Sequence, residues 1–385
     1  MDLELSESEL AFREEARSWL AANVPAERLP SLDTPEGFVA HQEWEAKLAE
    51  DRWAVVSWPE RYHGRDASLI EWVLFEEEYY RAGAPLRVSQ NGIFLLAPII
   101  YDHGTPEQQD RWLPTMATGE KVWAQCWSEP GSGSDLASLT STATRDEARG
   151  GWVLNGQKTW CSRAALAQWG FGLFRSDPSA ERHRGLTYFC FPLDAPGITV
   201  RPIEQLDGEA GFAEVFFEDA FVPDADVLGG VGDGWRVAMS TAGNERGLSL
   251  RSPGRFCAAA DRLLSLYAAT ESPLARAAAA DDVVDAWIGA EAYRLYTWGT
   301  VGTLAAGGDI GAAGSVNKVF WSGLDVALHE AALTLLGPEQ EAEGHWPDGY
   351  LFSLAGPIYA GTNEIQRNIV AERILRLPRE ARGGQ

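Results

Sequence analysis

Cysteine and positive charge are both scarce in this chain. Its 385 residues hold four cysteines, Cys126, Cys161, Cys190 and Cys257, none in a C-x-x-C pair. Thiols this far apart give no disulfide framework, so reduced, buried thiols in a cytoplasmic protein are expected. The 32 Lys and Arg face 56 Asp and Glu, a formal net charge of −24. A nucleic-acid binder needs a basic face, as does a protein that docks on anionic lipid, so this balance argues against both. The six histidines are scattered, with no H-E-x-x-H and no His/Cys cluster, and no metal site is expected. G-x-S-x-G is missing, and Ser132 and Ser134 have no obvious histidine partner, which argues against a serine hydrolase. The opening MDLELSESEL has neither the basic stretch nor the apolar stretch of a signal peptide. Apolar runs such as Ile93 to Tyr101 fall short of a membrane span.

What is present has a clear order. The apolar share of 45% and charged share of 23% are those of an ordinary globular protein. The length suits two or three domains. Residues 1–120 read as helices. Ser6 with Glu9 makes a capping box, and Thr105 caps a helix with Pro106 in its first turn. An apolar helix around Ile93–Tyr101 is expected to break or kink near Pro98. Residues 121–230 read as short strands, with Asn155-Gly156 as a hairpin signal between two of them. Residues 231–385 return to helices, near 273–302, 312–336 and 363–375, with an interruption at Ser252-Pro253. The fold class is α+β: a helical bundle, a central β-domain and a second helical bundle.

Three segments could carry chemistry. WSEPGSGSDLAS, Trp127 to Ser138, offers exposed N–H groups and hydroxyls to a flat or anionic ligand, or is a Gly/Ser surface loop. Glu245-Arg246 is a solvated surface pair, or faces a pocket among its small and apolar neighbours. GPIYAGTNEIQRN, Gly356 to Asn368, breaks at Gly361 and caps a last helix with Thr362 or Asn363, and Glu364 lies in its first turn. Capping alone explains it.

Taken together and in this order, GTPEQQDRWLP, WSEPGSGSDLAS, NGQKTWCS, GITVRPI, AEVFFEDAFVP and YAGTNEIQRNIVAERIL resemble the acyl-CoA dehydrogenase family over nearly the whole chain. The resemblance implies FAD, bound at a site completed by a neighbouring subunit, in a dimer or tetramer. It implies α,β-dehydrogenation of an acyl-CoA thioester: a carboxylate removes the α-proton, the β-hydride goes to flavin N5, and electrons leave to an electron-transfer flavoprotein. By position it implies that Gln125, Trp127 and Ser128 line the flavin ring, that Trp160 and Ser162 cover its other edge, and that Thr362 and Glu364 contact the cofactor. It places Ser134 on the CoA chain, Arg246 near the CoA entrance, and the backbone N–H of Ala360 on the thioester carbonyl.

This chain departs from the common pattern in two places. Many members carry their catalytic Glu within the Y-x-G-T turn, where this chain has Ala360. A branch that includes the isovaleryl type instead places the base in an E-R pair on a long helix, which Glu245 matches. The usual R-x-x-F-G segment is missing, and a glycine-rich turn is altered to LLGPEQ, as in bacterial members that pair two different chains on bulky acyl groups. Rival functions on the same fold are an oxidase, a monooxygenase, or a non-catalytic subunit of a heteromeric dehydrogenase.

Overall fold

The computed structural model describes residues 4–245, 252–337 and 344–378, without the side chains of 241–245. Five helices come first: α1 (Glu7–Asn23), α2 (Pro35–Glu50), α3 (Leu69–Arg81), α4 (Ala97–His103) and α5 (Pro106–Ala117). The strands are β1 (Trp123–Cys126), β2 (Thr142–Asp146), β3 (Gly151–Ser162), β4 (Trp169–Arg175), β5 (Leu186–Pro192), β6 (Ile198–Ile203), β7 (Phe212–Pro223) and β8 (Val227–Leu228). Then follow α6 (Gly234–Glu245), α7 (Pro253–Ala269), α8 (Pro273–Ala305), α9 (Ala313–Leu336), α10 (His345–Ser353) and α11 (Asn363–Ile369). These elements form two compact units. One draws on the chain up to Val24, Leu69–Ala84 and the chain after Glu245; the other on Pro25–Ser68 and Pro85–Glu245.

The second unit is built on a mixed sheet of order β6-β7-β3-β2-β4-β5-β8, with β1 added parallel to β4. Its inner faces supply a core of Leu154, Phe174, Phe189, Phe191, Val215 and Phe217. Phe174 and Phe191 each meet Phe217 edge to face, at 5.0 and 5.1 Å between ring centroids. The expected hairpin at Asn155-Gly156 does not form. β3 runs through both residues as one strand, with an irregular register beside Gly156. Gly156 has φ +140°, and a Cβ there would lie 2.2 Å from Ser141 Oγ. The glycine serves close approach by the segment entering β2, not a turn. Gly156→Ala should therefore destabilise this unit by about 1–3 kcal/mol through overpacking and backbone strain, read as a lowered thermal midpoint.

The helix before α4 also differs from expectation. Asn91–Leu96 is π-helical and passes directly into α4, where Pro98 cannot donate to the preceding turn, so the ladder changes from π to α beside it without the chain leaving the helix. The capping boxes at Ser6 and Thr105 form as read. α10 has no signal in the sequence, because no capping side chain marks its start at Gly344.

The first unit is helical. α3 crosses α7 where Gly254 admits the Glu76 backbone: a Cβ on Gly254 would sit 2.8 Å from the Glu76 carbonyl oxygen. Arg17 of α1 reaches Glu78 of α3 with two hydrogen bonds of 3.0 and 2.9 Å. Behind them Phe256, Leu263, Val283, Tyr293, Trp321 and Leu328 form the core. α9 departs from the expectation that apolar runs are too short to span a membrane: by length and composition it is long enough, and half of its most apolar stretch is buried. Its buried face carries Lys318, Ser322, Asp325 and His329, at helical spacing. Asp325 pairs with Arg255 of α7 at 2.8 Å. Internal pairing of this kind belongs to the central helix of a folded bundle.

Candidate active site

β1 ends at Cys126 and hands the chain to Trp127, Ser128 and the Gly/Ser loop. Two ties bind this stretch to β3: the Thr159 N–H donates to the Ser128 carbonyl at 2.8 Å, and Lys158 Nζ approaches the Trp127 carbonyl at 3.5 Å. Gln125, Trp127, Ser128, Trp160 and Ser162 thus belong to one neighbourhood of the sheet unit. The register of β3 against β7 slips between Lys158 and Cys161. Trp160 sits at that slip with φ +58°, a left-handed value that a non-glycine residue adopts at a cost of about 1–3 kcal/mol. The slip turns its indole outward, 59% exposed and edge-on to Phe212 at 6.0 Å. A large aromatic held out of the core at backbone cost is suited to covering a flat ligand.

The neighbouring donors point the same way. Gln125 Nε2 and Trp127 Nε1 are buried and have no hydrogen-bond partner among the described residues. Buried donors without acceptors call for a polar partner from outside the chain, and the edge of an isoalloxazine ring offers carbonyl oxygens and ring nitrogens. These residues fit a flavin.

One device essential to this arrangement was not singled out from the sequence. Lys158, fully buried, donates to Glu129 Oε1 at 2.8 Å and to the Leu173 carbonyl at 2.7 Å. Glu129 also accepts from the Thr140 N–H at 2.7 Å, the Thr140 hydroxyl at 2.8 Å and the Ser141 N–H at 3.0 Å. Burial pushes the Glu129 carboxyl up, but the Lys158 charge and these hydrogen bonds outweigh it and hold it at about 2. The pair ties the loop to the strand that presents Trp160. A sequence signal for it exists: Lys158 falls on the same alternating face of β3 as Trp152 and Leu154, where an ionisable group needs a partner.

The loop itself surrounds a cavity of about 310 Å³ lined by Glu129, Pro130, Gly131, Ser132, Ser138, Thr140 and Gln157. Ser134 is exposed and is not among these lining residues. A Cβ added to Gly131 or Gly133 would meet nothing within 4 Å among the described residues. Arg175 anchors the far side of the loop, donating to the Ala137 carbonyl at 3.2 Å and the Leu139 carbonyl at 3.3 Å.

In the helical unit, Ala360 has φ +57° and Gly361 φ +77°, so the Y-A-G-T turn is left-handed at two successive residues. The Ala360 carbonyl accepts from Gln366 Nε2 at 3.0 Å, while its N–H has no partner among the described residues. Thr362 caps α11 by accepting from the Ile365 N–H at 3.3 Å. Glu364 is exposed, and its own backbone N–H and the Thr362 hydroxyl hold its carboxyl below the ordinary range. Glu245 ends α6, with its side chain outside the description, and Arg246 lies outside the described residues.

The chain matches the acyl-CoA dehydrogenase N-terminal domain over residues 6–120, the middle domain over 124–220 and the C-terminal domain over 232–375. It is 43% identical over 391 residues to the acyl-CoA dehydrogenase IpdE1 of Mycobacterium tuberculosis, covering 97% of this chain and 98% of that one. The chain belongs to the acyl-CoA dehydrogenase family. It is an FAD-dependent oxidoreductase acting on acyl-CoA. Among solved structures it is similar to the Tcur3481-Tcur3483 steroid ACAD, with TM-score 0.86 and 26% identity over 99% of this chain and 100% of that one. It is also similar to the ChsE4-ChsE5 complex from Mycobacterium tuberculosis, with TM-score 0.84 and 27% identity over 99% of this chain and 100% of that one.

For this acyl-CoA dehydrogenase, Trp160→Ala should weaken flavin retention about tenfold, measured as FAD release on dilution. The apo-protein should unfold almost as before, because the indole is mostly exposed. Unchanged FAD affinity would remove Trp160 from the cofactor site.

Proposed function

We propose that this enzyme introduces an α,β double bond into a bulky acyl-CoA thioester, with Glu245 as the base that removes the α-proton. The observation that carries this reading is the Ala360 turn. Its left-handed backbone leaves an N–H without an internal partner, so the turn offers a donor to a carbonyl oxygen. Its side chain is a methyl group, so the turn offers no base. The base must come from another position, and Glu245 is the carboxylate that the family pattern places there. When bound, FAD supplies the acceptor for the β-hydride. Ala360 stabilises charge that builds on the thioester oxygen as the α-proton leaves, and Glu245 holds that proton. Gln125, Trp127, Ser128, Trp160, Ser162, Thr362 and Glu364 hold the cofactor; Ser134 and Arg246 hold the CoA chain.

The bulky substrate class is supported by the small side chain at position 360 and by similarity to an enzyme described as a steroid ACAD. Similarity to a complex of two differently named chains supports pairing with a paralogous chain. An electron-transfer flavoprotein as acceptor belongs to the same proposal and rests on the family pattern; a cytoplasmic location rests on the scattered thiols, and the division at 1–120, 121–230 and 231–385 on the change from helical to strand patterning and back. The test is anaerobic titration of the yellow protein with acyl-CoAs of differing shape. Branched, cyclic or steroid-side-chain thioesters should bleach the flavin faster than slim straight chains. An FAD-loaded preparation that no acyl-CoA bleaches would sink the reading.

A further inference from the structure

α9 grips the Ala360 turn at both ends. Before the turn, the Tyr359 ring stacks on Trp321, with 5.9 Å between centroids and 29° between planes. After it, Asn363 Oδ1 accepts from Lys318 Nζ at 2.9 Å and from Ser322 Oγ at 3.1 Å. Lys318 and Ser322 are fully buried and Asn363 nearly so. The Asn363 N–H closes the turn by donating to the Pro357 carbonyl at 2.8 Å. Within this frame Gln366, itself buried, holds the carbonyls of Ala360 and Gly361 at 3.0 and 3.3 Å. Burying an ammonium group is expensive, and a core helix has no need of one for packing. Methionine would fill the same space.

We propose that Lys318 is a positioning residue: through Asn363 it fixes the peptide plane that aims the Ala360 N–H. Two left-handed residues in succession leave the turn few hydrogen bonds of its own, so its geometry depends on its anchors. A charged donor holding one amide oxygen is a stronger and more directional anchor than a neutral one. This inference rests on the proposed reading of the site, with Ala360 as carbonyl donor and Glu245 as base, and its test separates the failure of Lys318 from the failure of that base.

Amide hydrogen exchange is measured on the FAD-loaded parent and on Lys318→Met, without substrate. Peptides spanning 357–366 should exchange at least about tenfold faster in Lys318→Met, while peptides of α9 beyond Trp321 keep their protection. Equal protection of the turn overturns the inference, whatever the enzyme's activity. With acyl-CoA, flavin reduction should slow by about ten- to a hundredfold while the Kd for acyl-CoA changes less than about threefold, the pattern of a displaced donor. If Lys318→Met does not fold, Asn363 decides. Asn363→Asp keeps an acceptor for Lys318 and should retain parental exchange in the turn, whereas Asn363→Leu should lose it; identical behaviour of the two overturns the inference. Glu245→Gln is run alongside. Parental flavin reduction in Glu245→Gln with a loosened turn in Lys318→Met removes the base assignment and keeps Lys318. The opposite pair of results does the reverse.

Discussion

Glu245→Gln should be a yellow, folded protein whose flavin is reduced by acyl-CoA on the order of a thousandfold more slowly than in the parent. Glutamine keeps the size and hydrogen-bonding reach of glutamate but cannot take the proton. The α-hydrogen of a thioester is a poor acid, so a positioned base is among the largest contributions the protein makes. FAD affinity and acyl-CoA affinity should change little, which distinguishes loss of a base from loss of a binding contact. The companion experiment moves the base. In a Glu245→Gly background, Ala360→Glu should restore part of the activity, more for slim acyl chains than for bulky ones, because the new side chain fills the space beside the α-carbon. Position 360 already carries a Cβ at φ +57°, so the longer side chain adds no new backbone cost. Parental reduction rates in Glu245→Gln would place the base elsewhere or on another chain.

Lys158→Met should cost about 3–5 kcal/mol of unfolding free energy, because it leaves the Glu129 carboxylate buried without its cation. Pairing it with Glu129→Gln should recover a substantial part of that loss, since the stranded charge is gone; a double variant as unstable as the single would mean that packing, not charge, sets the cost. Acid behaviour gives an independent check. The folded carboxyl sits near 2 against an ordinary 4.5, so the pair's contribution is complete above about 4.5 and drains away as pH falls toward 2. Glu129→Gln should flatten that part of the stability curve in denaturant melts of the apo-protein. An unchanged acid limb would show that other carboxylates govern it.

Features decided within a few residues were the readable ones. Ser6 with Glu9 and Thr105 with Pro106 announced their helices because a cap acts on backbone one turn away. Gly156 reads as a turn because, next to asparagine, it imitates a two-residue hairpin loop; its actual reason, the closeness of Ser141, lies in the segment entering β2 and is distant in sequence. The cofactor segments were visible as motifs, yet the tie between Glu129 and Lys158 spans 29 positions and needs the sheet to close it. The polar stripe of α9 was hidden for a related reason. Lys318, Ser322 and Asp325 share a face, but only the packing of α7 and α11 against that face makes it an interior one.

The slip at Trp160 also bears on how such chains diverge. Trp152, Leu154 and Lys158 of β3 are buried at even-numbered positions; beyond the slip it is Cys161 that is buried. Removing Trp160 alone would bring Lys158 and Cys161 back into simple alternation, and the ladder to β7 would become more regular. The β3–β7 ladder itself therefore does not need the extra residue. Loss of that single codon would smooth the strand and change only what its outer face presents.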